Sequence, residues 1–138
     1  MAVPQDTASS PLEWLTALGA GTARALRESP EFLSLGLMLV LDRRPQEPSA
    51  RGTFLQLRDA AFQRIAAVIA ELRPDADDET VTVFATYAVA AADGFFLARQ
   101  IQGDSVDLER LFAMHARILV DAIARHVPDV DPGTPPTD

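Results

Sequence analysis

Few side chains in this 138-residue sequence offer covalent chemistry. There is no cysteine, which excludes disulfides, zinc–thiolate sites and thiol nucleophiles. The two histidines, His115 and His126, belong to neither a Glu-x-x-His nor a His-Glu-x-x-His pattern. Those are the spacings by which helices present ligands to a di-iron centre or to zinc. No phosphate-binding loop or GxGxxG is present, and "GAG" (19–21) lies within a helical pattern instead of following a strand. A serine nucleophile lacks its GxSxG elbow. Asp93 and His115 can be drawn as an acid–base pair, but no spacing motif joins them. The expectation is a non-enzymatic protein with no catalytic residue, no metal site and no cofactor.

What remains is binding chemistry. Arg58 falls within an apolar helical stripe. Its stem can pack while its head pairs with an Asp or Glu, or its planar fork can anchor an anionic head group. His115 lies mid-stripe. It is either a hydrogen-bonded buried group or a ligand-contacting, pH-responsive one. His126, near the end of its helix, suits the helix dipole. The large adaptable side chains include Trp14, Phe32, Met38, Phe62, Phe84 and Phe112. Singly, each reads as core packing. Together with a few interleaved polar groups, such residues also build an apolar pocket between helices. Phe32, Met38, Arg58, Phe62, Phe84 and His115 are the candidate ligand-binding residues.

The bulk numbers narrow the class. With 48% hydrophobic residues the chain can bury a core, and its length suits one domain. The net charge is −8, Lys is absent, and Arg43-Arg44 is the sole adjacent basic pair. Direct nucleic-acid binding is therefore not expected. "MAVPQDTASSP" has neither a basic nor an apolar leader region. "LGLMLVL" (35–41), the longest unbroken apolar run, is too short to span a bilayer. A cytoplasmic protein with no membrane contact is the expectation.

Helix punctuation then places the elements. Ser10 is a candidate N-cap, with Pro11 at the first helical position and Glu13 closing a capping box. "SPEF" (29–32) repeats the Ser-Pro start. Ser49, Asp77 and Asp104 are candidate caps for three more helices, and Gly103 is a candidate stop. The spacing predicts an all-α antiparallel bundle of five helices at 11–27, 30–42, 50–72, 78–102 and 105–126. Residues 1–10 read as a flexible lead and the Pro-rich acidic tail 127–138 as disordered. The second helix, apolar nearly all round, should be the most buried.

The fourth helix poses a question. "YAVAAADGFFLARQ" (87–100) carries Asp93-Gly94, a hairpin signal in other settings, inside an alanine-rich helical run. Val81, Phe84, Ala88, Ala91 and Phe95 form one apolar stripe. Val83, Tyr87, Ala90, Gly94, Leu97 and Ile101 form a second. Such an arc is wider than a one-sided surface helix needs, so two sides should be covered. Gly94 costs ~1 kcal/mol relative to Ala within a helix, which asks for a reason to omit a side chain. Close approach of a second subunit supplies one, and a bend in the helix another. Tyr87, Ala90, Gly94, Leu97 and Ile101, with Leu111, Ile118 and Ala122 of the last helix, are the candidate dimer residues.

The order of these elements resembles the C-terminal regulatory domain of TetR-family transcriptional repressors. "SPEFLSLGLMLVL" (29–41) is similar to that domain's short apolar helix, and "RGTFLQLRDAAFQRIAAVIAEL" (51–72) to its long arginine-dotted one. "VFATYAVAAADGFFLARQIQGD" (83–104) and "VDLERLFAMHARILVDAIARH" (106–126) resemble its last two helices. The resemblance implies a homodimer through those helices, paired as a four-helix bundle. It also implies a small, mostly apolar effector held between the helices of each subunit. The family's N-terminal helix-turn-helix head has no counterpart in residues 1–10. Either the chain is a shortened form, or it is a headless interaction protein that dimerises with a full-length relative.

Overall fold

A computed structural model describes residues 10–42 and 48–126. They form five α-helices: α1 (Pro11–Glu28), α2 (Pro30–Asp42), α3 (Pro48–Leu72), α4 (Asp78–Gln102) and α5 (Leu108–Arg125). A single 3₁₀ turn, Gly103–Ser105, links the last two. No strand occurs among the described residues. The lead, the Arg43-Arg44 pair and the acidic tail lie outside them.

Local signals set most helix ends. The Ser10 hydroxyl accepts from Glu13 N at 3.2 Å, and the Glu13 carboxylate accepts from Ser10 N at 2.8 Å. This reciprocal pair satisfies two of the donors a helix start leaves free. Asp77 caps α4 by accepting from Thr80 N at 2.7 Å. Gly103 ends α4 with φ +69, a conformation that glycine adopts without a steric penalty.

Two cap assignments change. The helix expected from Ala50 begins at Pro48, so Ser49 lies in its first turn and is not the cap. Asp104 does not cap α5; Asp107 does, accepting from Arg110 N at 3.0 Å. The 3₁₀ turn after Gly103 delays the last helix, and Asp104 pairs instead with Arg99. The far end of α5 is closed from a distance. Arg73, held by Asp75, donates to the carbonyls of Ile123 (3.0 Å) and His126 (2.6 Å). A guanidinium there meets both the orphan carbonyls and the negative end of the helix dipole.

The core lies among α1, α3, α4 and α5. Leu15, Ile69, Ala85, Ala88, Ala116, Leu119 and Ile123 form its main cluster. A second cluster joins Ala23, Val106, Leu108 and Phe112. Where α1 crosses α5, a Cβ on Gly19 would sit 2.9 Å from Phe112 Cβ. Only a glycine allows that approach without a shift.

The second helix corrects an expectation. It is not the most buried: Phe32, Leu35, Met38 and Leu41 are all exposed, Met38 at 66%. Its main contacts are with α3 and α1 only, so an all-round apolar sequence has just one covered side. Gly36 makes that side possible, because the Phe54 ring lies where its Cβ would be.

The two stripes of α4 separate as their spacing implies. Ala88 is buried and Val81, Phe84 and Phe95 half-buried, while Val83, Tyr87, Ala90, Gly94, Leu97 and Ile101 are exposed. On α5, Leu119 and Ile123 turn inward and Ile118 and Ala122 outward; Leu111 is half-buried against the second cluster. By length and composition, Asp78–Ser105 also holds a stretch apolar enough to cross a membrane, an 18-residue window of mean hydropathy 1.6. The run at 35–41 is thus not the best candidate span. Threonines and alanines hide the longer one from a search for unbroken apolar residues.

Candidate functional site

A partly open cavity of about 580 Å³ lies between the helices. All five contribute to its wall: Leu15 and Thr22 from α1, Phe32 from α2, Arg58 from α3, Asp93 from α4 and His115 from α5 are examples. Its size falls within the range of small-molecule pockets. Small residues make the space. Gly19, Ala61, Ala88, Ala92 and Ala116 line it, where larger side chains would close the bundle.

At the rim, Arg58 meets Asp93. Its two terminal nitrogens donate to the two carboxylate oxygens at 2.7 and 2.6 Å. This fork-to-fork pairing raises the Arg58 pKa above its ordinary value, through the Asp93 hydrogen bond first and its charge besides, against the effect of burial. The Arg58 guanidinium also lies 5.6 Å from the centroid of the Phe54 ring, and Phe32 packs against that ring at 6.1 Å. Of the two sequence readings of Arg58, the paired one describes this geometry.

Asp93→Asn is expected to lower stability by about 1–3 kcal/mol, because it leaves a half-buried cation with a weaker partner. Urea unfolding would measure the loss. The double change Arg58→Met with Asp93→Leu should recover most of it, since replacing a whole pair by apolar residues is often near neutral. Recovery failing would mean that each residue has a separate role.

Deeper in the wall, His115 is 9% exposed. Burial lowers its pKa from the ordinary 6.5, opposed by a hydrogen bond to the Ala88 backbone. Its neighbours are rings: Tyr87 at 5.7 Å and Phe95 at 5.5 Å. Among the described residues Nε2 has no hydrogen-bond partner. The depressed pKa sets the sign of a pH effect. The unfolded chain takes up a proton near 6.5 that the folded chain resists. Stability is full above that value and is lost as pH falls below it. Thermal melts should show this fall, and His115→Phe should flatten it in that window.

The six candidate ligand residues divide. Phe32, Arg58 and His115 share the cavity wall. Met38 points away on the exposed side of α2. Phe62 lines a smaller neighbouring pocket, with Asp59 and Thr86. Phe84 packs on the main core cluster and edge-on against His126 at 5.4 Å. Residues not singled out as ligand-binding candidates from the sequence also belong to the wall, above all Phe54 and Asp93. The only available signal for Asp93 was an acid beside a half-apolar helix face, which says nothing of its partner.

Among the described residues no cluster of His, Asp and Glu has a metal-binding arrangement. No family model, curated protein or solved structure matches the chain.

Proposed function

We propose that this chain is a ligand-sensing and dimerisation domain of the kind that TetR-family regulators carry, with a small, mostly apolar effector in the cavity. The observation that supports it most is the cavity itself, 580 Å³ of space bordered by every helix of the bundle. A packed bundle of this size ordinarily keeps few voids larger than a water molecule. An occupant would touch Ala88 and Ala92 on the inner side of α4. The outer side of the same helix carries the exposed stripe from Val83 to Ile101. A shift of α4 on binding therefore reaches the surface where a second copy would sit.

A second copy suits that surface better than lipid. Arg110, Arg117 and Asp121 of α5 are exposed beside Ile118 and Ala122. Charges around an apolar centre are the usual rim of a protein contact. In hydrocarbon each would be costly.

The test is binding of N-phenylnaphthylamine, an apolar fluorescent probe, to the whole chain. Its fluorescence should rise on binding, saturably. Ala61→Trp places bulk at an exposed position of the cavity wall and should weaken the probe at least tenfold, a loss of about 1.4 kcal/mol. Absence of saturable binding by the unaltered chain would overturn the reading.

A further inference from the structure

Resting on that reading of the cavity, we infer that its occupant is an uncharged, largely apolar molecule with one hydrogen-bond donor, a hydroxyl or N–H, delivered to His115 Nε2. The buried imidazole carries the argument. It is more than nine-tenths buried in the cavity wall, and Nε2 is left without a partner among the described residues. The bond to the Ala88 backbone must then use the other ring nitrogen, Nδ1, as donor to a carbonyl. In the neutral ring this tautomer leaves Nε2 with a lone pair, so it accepts and does not donate. Burial holds the ring neutral. An ether or ketone has nothing to give it; an alcohol, phenol or amide does.

The charges on the wall exclude the obvious alternative. Arg58 would be the natural anchor for a carboxylate or phosphate, but both its terminal nitrogens are taken up by Asp93. An anion would have to break that pair and then face the Asp93 carboxylate. Glu28 adds a second acid to the wall. The nearby Thr22 hydroxyl is already committed, donating to the Leu18 carbonyl at 2.9 Å. Nε2 is closed off from water, so a donor reaches it only as the occupant displaces its covering neighbours. That shielding is also why supplying the missing bond is worth more there than at the surface.

The experiment compares three probes that share one alkyl chain: para-hexylphenol, para-hexylanisole and para-hexylbenzoate. Calorimetric titration of the whole chain should find the phenol roughly five- to tenfold tighter than the anisole, the worth of one hydrogen bond to a buried acceptor. The benzoate should be the weakest. In His115→Phe the phenol and anisole should bind within about twofold of each other. Equal binding of phenol and anisole by the unaltered chain overturns the inference and leaves the cavity reading standing. So does a preference that survives in His115→Phe, or a benzoate that binds tightest. If none of the three binds, both fall.

A second readout needs no variant. The ¹⁵N resonance of His115 Nε2 should move upfield from the position of a bare lone-pair nitrogen when the phenol is added, and stay in place with the anisole. No movement with bound phenol also overturns the inference.

Discussion

Gly94→Leu is expected to separate the subunits of the proposed dimer while leaving each one folded. Among the described residues nothing lies within 4 Å of where a Cβ on Gly94 would stand, so a side chain there meets open space. Leucine is also the better helix former, by about 0.8–1 kcal/mol. The fold should therefore hold or gain slightly. A dimer packed on the stripe that holds Tyr87, Gly94, Leu97 and Ile101 would lose. Overpacking a close contact costs about 1–3 kcal/mol, and a two-fold axis counts it in both subunits. The dissociation constant should rise roughly thirtyfold or more, by about 2 kcal/mol or more in total. Light scattering over a dilution series measures this, with urea unfolding as the control for the fold. A variant that self-associates like the unaltered chain would place the contact elsewhere. A native chain that is monomeric at micromolar concentration would remove the dimer altogether. Ile101, 81% exposed at the end of the stripe, is the position most in need of a cover.

Phe96→Ala should be the most damaging of the single truncations, costing about 3–5 kcal/mol. That is a large share of the roughly 5–15 kcal/mol that holds a domain together. Phe96 is among the largest fully buried side chains, at 2% exposure. Its neighbour Phe95 is half-buried, packed edge-on against Phe112 and His115. Truncating Phe95 should therefore cost less in stability and more in cavity shape. Denaturant unfolding of both variants tests the ranking. Equal losses would mean that the burial of Phe96 is not matched by packing around it.

These two positions also show how far the residues could be read unaided. The inner and outer stripes of α4 follow from helical spacing, and that placed Gly94 outward. The same spacing placed Phe95 on the inner stripe and left Phe96 unassigned. A helix covered by α3 on one flank and α5 on another buries more than one row, and periodicity cannot say how many rows. The misreading of α2 has the same origin. An apolar surface all round implies cover, but cover must come from somewhere. Among the described residues that cover comes chiefly from α3 and α1, with Gly36 against Phe54 as the close approach, and the rest of the helix surface stays open.

What the sequence determined by itself is what neighbours along the chain decide. Ser10 with Glu13, Asp77 with Thr80 and Gly103 at the stop each act over three or four residues, so the all-helical class and the order of helices were legible before any packing was known. Tertiary structure alone decided the rest. Arg58 and Asp93 are 35 residues apart, and Arg73 reaches carbonyls 50 and 53 residues away. Nothing in the local pattern of either arginine names its partner. The cavity is likewise a property of how five helices fail to close on one another, set by small residues at Gly19, Ala61, Ala88, Ala92 and Ala116 that are unremarkable singly. Helix formation depends on contacts within a turn, whereas ion pairing and empty space depend on which faces are finally opposed.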